Sequence, residues 1–269
     1  MDAVDLLRDA VLRDPRARDA RTREVRIGAF WTVVRTSRGT GLASTMAREA
    51  TPHEGPPVRT AGSLLDQQPL ELLELLGSRS PTEAAVGLAT ANSLIARPTG
   101  HVTSDKALKI LQTLAPNRTV AIVGRFPFVN ELRPLCDPLW VFEKNLQLGQ
   151  GLRHAHEIPD LVPRAEVVAI TATTLINGTL SSILPHVPAS ATLMMLGPST
   201  PMAPCLFELG FDVLCGTVVT DPEGVVEAVS QGATTKQITG VERLSLWRDE
   251  PAKVVGGSVL RDHAPNVCR

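Results

Sequence analysis

The 269-residue chain contains no tyrosine, three tryptophans and six phenylalanines. No phenol is therefore available as an acid or a ligand, and there are too few rings to build a base-stacking surface for single strands. The core has to be assembled from Leu, Val, Ile and Ala. Cysteine is scarce as well: Cys136, Cys205, Cys215 and Cys268 form no C-x-x-C pair. In a chain this long they read as free thiols in a reducing compartment, so a cytoplasmic protein is expected. No apolar run approaches the roughly 20 residues that span a bilayer. The first residues, MDAVDLLRDAVLRDPRARDAR, are charged throughout and hold no apolar signal-peptide stretch. The formal net charge of −1 gives neither sign an excess, which excludes a highly basic nucleic-acid binder.

What is present is ordinary globular material, 43% hydrophobic and 20% charged, which excludes disorder. Residues 1–60 hold eleven Arg and no Lys against eight acids. Signs alternate between Arg8 and Arg26, as on a solvated helical face rather than a polyanion-binding arm. Residues 2–13 read as an amphipathic helix with Val4, Leu7 and Val11 on one face, stopped by Pro15. The β-branched and aromatic stretch Val25–Thr36 reads as a strand, and Gly39 and Gly41 as a turn into a shorter strand near Leu42–Thr45. TPHEGPPVRTAG is a loop. Helices follow at Pro69–Leu76 and from the Ser80-Pro81 cap to a stop before Pro98.

Beyond residue 100 the pattern changes. Thr103–Leu114 reads as a helix with Leu108, Leu111 and Leu114 inward. Five short apolar runs follow, separated by helical stretches: residues 119–124, 139–143, 166–171, 191–197 and 211–216. Such runs are strands of a parallel sheet covered on both faces. The expected fold class is α/β: a smaller α+β domain over residues 1–100, then a Rossmann-like parallel-sheet domain over 101–269.

Ligands of open α/β sheets bind outside the carboxyl ends of the strands. There this chain carries four unusual segments. Gly124-Arg125-Phe126-Pro127-Phe128 closes the first run. Its glycine allows close backbone approach, but G-x-G-x-x-G is absent and Pro127 removes an N–H, so a simple strand-to-helix turn is an equal reading. Glu143 ends the second run, nineteen residues after Gly124. An acid about 20 residues after the first glycine accepts from a ribose hydroxyl in Rossmann domains; the alternative is a surface carboxylate paired with Lys144 or an Arg. The third segment runs from Thr171 through Thr173, Thr174, Asn177 and Gly178 to Thr179. Thr173 or Thr174 is a natural N-cap, and the helix start favours an anion. The fourth, Gly197-Pro198-Ser199-Thr200-Pro201, is either a ligand loop or a rigid connection.

The histidines at 53, 101, 154, 156, 186 and 263 are scattered. His154 and His156 form a weak metal signal, since a catalytic zinc usually takes three protein ligands. No Ser-His-Asp order, H-E-x-x-H or Walker loop is present, and Cys136 and Cys205 read as small hydrophobes.

These segments, G-R-F-P-F, V-F-E, T-A-T-T-L-I-N-G-T and G-P-S-T-P in this order, resemble the heavy-metal chelation family DUF364. The I-G-x-x-W-T strand, G-L-A-S-T and E-A-A-V-G-L-A-T-A-N resemble the DUF4213 domain that precedes it. The resemblance implies an enolase N-terminal-like domain joined to a Rossmann-like domain, with the site in the cleft between them. By motif position it implies ligand contacts from Gly124, Phe126, Pro127, Glu143, Thr173, Thr174, Asn177, Thr179, Gly197, Pro198, Ser199 and Thr200. Asn92 would approach from the N-terminal side. Ala172 stands where the family usually has Gly in T-G-T-T.

Two functions follow. One is binding of a small anionic ligand, including a metal ion or metal chelate, in that cleft. The motif donors are oxygens and amides, which suit hard cations rather than soft heavy metals, so a metal is expected to arrive already chelated. The other is an enzyme or sensor for a nucleotide-like metabolite, with Glu143 holding a ribose or amine or acting as base. Enzyme and binder both stay open. The expected partner is a small-molecule or metal-chelate ligand, not nucleic acid or membrane, and a homo-oligomer is left open.

Overall fold

The computed structural model describes residues 2–46 and 55–248; His53, His263 and Cys268 lie outside them. Helix α1 (Ala3–Arg13) buries Ala3, Leu6, Leu7 and Val11, while Val4 is half-buried. Pro15 cannot continue its hydrogen-bond ladder. A short α2 (Pro15–Arg18) starts afresh, with the Asp14 carboxylate accepting from the Arg16 N–H.

The stretch expected as one strand from Val25 to Thr36 is a hairpin. Strands β1 (Thr22–Ile27) and β2 (Trp31–Thr36) pair antiparallel, and the Gly28 N–H donates to the Trp31 carbonyl at 2.8 Å. Only Gly28 and Ala29 break the run of strand-forming residues, too brief an interruption to mark the turn by propensity alone. Strand β3 (Thr40–Ser44) completes a three-stranded antiparallel sheet in the order β1-β2-β3. Helices α3 (Pro69–Glu74) and α4 (Pro81–Leu94) follow. Ser80 caps α4 by accepting from the Glu83 N–H.

Of the 14 residues of α4, 12 are buried. Its small side chains let backbones approach closely. A Cβ on Gly41 of β3 would stand 2.0 Å from the Ala89 carbonyl oxygen, so only glycine fits there.

The second sheet has eight strands: β4 (Val102–Thr103), β5 (Val120–Val123), β6 (Leu139–Glu143), β7 (Arg153–His154), β8 (Val167–Thr171), β9 (Thr192–Leu196), β10 (Val213–Val219) and β11 (Val241–Trp247). Their spatial order is β4-β11-β10-β9-β8-β5-β6-β7. Strands β5 to β10 pair in parallel, β11 runs antiparallel to β10, and β4 antiparallel to β11. All five apolar runs are strands of this sheet. The helix expected from Thr103 is shorter: α5 spans Ala107–Leu114, because Val102 and Thr103 pair with Leu246 and Ser245. Ile110 is buried and Leu108 only half-buried. The other connecting helices are α6 (Val129–Leu132), α7 (Ile158–Leu161), α8 (Thr173–Ile176), α9 (Leu180–Ile183) and α10 (Pro222–Ser230).

Side chains alternate between the two sheet faces. Val123, Phe142, Ile170 and Met195 join the larger apolar cluster, which also holds Leu7, Leu72 and Leu88. Ile122, Val141, Ala169 and Leu196 join a second cluster with Ile110 and Leu111 of α5. The larger cluster therefore runs without a break from the N-terminal elements to one face of the eight-stranded sheet. A third cluster seats Trp31, Val33 and Leu42 against Val225, Val226 and Val229 of α10. The molecule is a mixed α/β fold with a large, mostly parallel sheet and a small antiparallel one. No helix among the described residues is long and apolar enough to cross a membrane.

Candidate functional site at the carboxyl edge of the parallel sheet

The register of the parallel strands lines up the unusual residues. Val123 pairs with Phe142 on one side and Ile170 on the other, so Gly124, one residue on, stands level with Glu143 and Thr171. Glu143 in turn pairs with His154, and Thr171 with Leu196, just before Gly197. After β7 the chain crosses back to lay β8 on the other side of β5. Gly124 and Thr171 thus flank the point where the winding reverses. Gly124 has φ +98°, and a Cβ there would lie 2.7 Å from Thr171 Cγ2. Its N–H donates to the Phe142 carbonyl at 2.9 Å. Phe126 and Phe128 stack at 5.2 Å and pack on the α5-side cluster, while Pro127 is exposed.

Glu143 is half-buried, and one carboxylate oxygen accepts from the Lys144 N–H at 2.8 Å. The alternative reading, an ion pair with Lys144 or an Arg, has no counterpart among the described residues: only the Lys144 backbone N–H meets the carboxylate. Asn145 caps the next turn by accepting from the Gln147 N–H.

The threonine segment is arranged differently from expectation. Ala172, not Thr173 or Thr174, occupies the N-cap position of α8. The Thr171 hydroxyl oxygen accepts from the Thr173 N–H at 3.4 Å and lies 3.1 Å from the Thr173 hydroxyl. Thr174 is buried and its hydroxyl donates back to the Thr171 carbonyl at 2.7 Å. Thr171 therefore does the local capping, because its side chain comes before the turn. With four residues, α8 is too short to carry a substantial dipole. Asn177 ends it, and its amide oxygen accepts from the Thr179 hydroxyl at 2.7 Å and the Thr179 N–H at 3.3 Å. Thr173, Asn177 and Thr179 remain half-buried at the edge.

The loop 197–201 is committed to structure. Ser199 is buried; its hydroxyl oxygen accepts from the Ser44 N–H at 2.9 Å and lies 3.1 Å from the Ser44 hydroxyl. The Asn92 amide donates to the Leu42 carbonyl at 2.9 Å and the Ser199 carbonyl at 3.1 Å. Asn92 does reach across from the N-terminal side, but its amide N–H groups are spent on fastening this loop rather than being presented to a ligand. The Gly197 N–H donates to the Cys215 carbonyl. Thr200 is buried, and its hydroxyl has no partner among the described residues. Pro198 lines a hollow of about 10 Å³ with Trp31, Leu42 and Thr217, room for a single water. A larger cavity of about 360 Å³ is bounded by Asp2, Ala3, Leu180, Ser181 and Leu184, directly after Thr179 in the chain, though no motif residue lines it.

The motif residues therefore divide between the two faces of one sheet edge. Asn92 and Ser44 close on the loop from the α4 side. Glu143 and Thr171, each one residue past an α4-side position, continue the opposite, α5-side row. Ser44 was not legible as a functional residue, and Thr171 was read only as the start of the threonine segment, with the cap expected from Thr173 or Thr174.

The three described cysteines are inert by environment. Burial, with the nearby Glu208 charge adding to it, pushes the Cys205 thiol up to about 11; burial pushes Cys215 up to about 12 and raises Cys136. None is poised as a thiolate. His154 and His156 are in ring contact with each other, and no three His, Cys, Asp or Glu side chains converge as a metal-holding group among the described residues.

A family model described as "Putative heavy-metal chelation", DUF364, matches residues 106–248. A second with the same description, DUF4213, matches residues 12–95. The chain is similar to a solved DUF364-family protein of unknown function from Desulfitobacterium hafniense, with a TM-score of 0.77 and 24% identity over 90% of this chain and 98% of that one. It is also similar to one from Pyrococcus horikoshii, with a TM-score of 0.74 and 19% identity over 91% and 99% of the two chains. At such identities the likeness shows the fold alone. No curated protein matches the chain.

Proposed function

The chain belongs to the DUF364 family, and from that premise we propose that it binds a small anionic ligand, free or as a metal chelate, at the carboxyl edge of its parallel sheet. The ligand lies over Gly124, Glu143 and the Thr171–Asn177 turn, with Phe126 and Pro127 as a wall. Thr179 steadies Asn177, and Asn92 and Ser199 hold the 197–201 loop in place as positioning residues. One observation carries this reading: Glu143, Gly124 and Thr171 stand side by side where the winding reverses. Ligands of doubly wound sheets sit at that point. Strands β7-β6-β5-β8-β9-β10 also follow the 3-2-1-4-5-6 order of a Rossmann sheet, which supports a Rossmann-like unit over residues 101–248, the described part of the expected 101–269 domain. The hairpin, third strand and helices before residue 100 fit the enolase N-terminal-like unit that the family resemblance implies.

The latch between Ser44, Asn92 and Ser199 favours the open α5-side edge over the seam between the two units. A second reading has its own observation. Glu143 ends the strand beside β5, level with Gly124, where a doubly wound sheet carries its ribose-binding acid. That favours a nucleotide-like metabolite.

Thermal stabilisation tests both. At 100 times its dissociation constant a ligand adds about 2.7 kcal/mol. Stabilisation by simple di- and tricarboxylates or their metal chelates, reduced by Thr173→Val, is the expected result. Stabilisation by nucleosides and nucleotides, lost in Glu143→Gln, selects the second reading. If none of these compounds moves the melting temperature at saturation, both readings fail.

A further inference from the structure

We infer that the outer edge of strand β1 joins a second copy of this chain, fusing two three-stranded sheets into one of six strands across a two-fold axis. In the order β1-β2-β3, β1 is an edge, paired with β2 alone among the described residues. The Gly28 N–H donates to the Trp31 carbonyl, which makes Gly28–Trp31 a hydrogen-bonded pair. Bonded and non-bonded pairs alternate along an antiparallel ladder. Arg26–Val33 and Glu24–Arg35 are therefore bonded, and Ile27–Thr32 and Val25–Val34 are not. The backbone N–H and C=O of Val25 and Ile27 thus point away from β2. Among the described residues the Val25 carbonyl is met only by the Arg26 guanidinium, at 3.2 Å. A row of open strand groups of this kind is a template for another strand.

The edge is complementary to itself. Antiparallel pairing about Val25 sets the two Val25 residues opposite each other, exchanging their outward backbone bonds. Glu24 then stands opposite the partner's Arg26, and Arg26 opposite the partner's Glu24. Within one copy these two side chains already pair at 2.5 Å, so they share a face of the strand and can change partner. Opposite charges directly across a ladder are favourable, and like charges are not. Each copy gives up an internal ion pair to make the shared ones, so the charges set register and partner more than strength. Moving the axis to between Glu24 and Val25 would set Arg23 against the partner's Arg26, a like-charge clash.

Strength comes from apolar groups at the ends of the ladder. Five large apolar side chains are exposed among the described residues, and three border β1: Ile27, Phe30 in the turn after it, and Leu65. The turn Leu64–Asp66 packs beside β1, and the Thr22 hydroxyl donates to the Gln67 carbonyl at 2.7 Å. Leu65 therefore flanks the Thr22 end of the strand, and Ile27 and Phe30 the other. Val25 and Leu64 pack on the same core cluster, so Ile27, two residues beyond Val25, points to the side of the sheet where that turn lies. Antiparallel pairing brings opposite ends together, so Leu65 of each copy comes to the partner's Ile27 and Phe30.

The test is the mass of the full chain in solution by analytical ultracentrifugation, with circular dichroism to check folding. The wild type is a dimer at roughly 100 μM. Glu24→Arg and Arg26→Glu each set like charges across both ends of the ladder and raise the dissociation constant by at least about tenfold. Mixed in equal amounts, these two variants restore complementary pairs and associate as a heterodimer, a result that misfolding cannot produce. Val25→Pro keeps the monomer fold, because the N–H it removes has no partner on β2, and abolishes the dimer. A monomeric wild type at that concentration, which leaves the edge to an extended segment of another protein, overturns the proposal. So does a dimer that neither charge reversal weakens, or a mixture that associates no better than its components.

Discussion

The loop at 197–201 and the rim formed by residues 124–128 and 143–154 leave the same sheet at the same level, yet their polar groups have opposite fates. In the loop, Ser199 is buried and takes a hydrogen bond from a strand 155 residues away in sequence. On the rim, Glu143 is half-buried and its recorded bond is to its own neighbour's N–H. An unusual polar residue at a strand end is thus not by itself a ligand contact. Where a second layer covers the edge, desolvation forces each polar atom to find an internal partner. Where nothing covers it, the same atoms stay available.

Substitutions can break or sharpen this contrast. The largest effect belongs to the covered side. Gly41→Ala drives a methyl into the Ala89 carbonyl and should cost about 3 kcal/mol in urea unfolding, because both clashing groups are backbone. Asn92→Ala strips the Leu42 and Ser199 carbonyls of a donor and should cost about 2 kcal/mol by the same measurement. A loss below the scatter of surface substitutions would show the latch to be incidental.

Acid provides a third probe, because the covered side also holds a paired carboxylate. Burial works to raise the Glu83 carboxyl, but the Arg59 guanidinium and the Ser78 hydroxyl outweigh it and hold it below the usual carboxylate range. A depressed carboxyl adds stability above its unfolded pKa, and that stability drains as pH falls through the folded value. Arg59→Gln should therefore move the midpoint of acid unfolding, followed by circular dichroism, to higher pH.

Smaller effects follow. Ser199→Ala should cost about 1 kcal/mol, since the Ser44 N–H loses its acceptor, a buried hydroxyl. Glu143→Gln should change thermal stability by no more than about 0.5 kcal/mol while abolishing stabilisation by a nucleotide-like ligand, if that is what the rim holds. A large stability loss at Glu143 would move it to the structural side of the comparison.

The elements that sequence revealed are those whose signal is local. Runs such as 119–124 and 166–171 read as strands because four consecutive apolar residues, bounded by polar or glycine positions, fit a sheet buried on both faces. Strand β11 escaped because Glu242, Arg243 and Ser245 interrupt its apolar residues at an antiparallel margin. The hairpin turn was hidden because only Gly28 and Ala29 interrupt the strand-forming residues on either side, and no Pro, Asn or Asp accompanies them. At the site, Gly124, Glu143 and the threonines were legible from their position after apolar runs. Their partners were not. The Ser44–Ser199 and Asn92–Ser199 bonds join residues 155 and 107 positions apart, and no periodicity reports a contact of that kind.

Helix α4 has one more consequence. With 12 of its 14 residues buried, it has almost no side to offer to water. Severing the chain near residue 100 would leave an Ala-rich rod whose natural sleeve is split between two polypeptides. The halves made apart should therefore aggregate, and made together they should find each other. The helix would then be a ready-made seam for a fragment-complementation reporter.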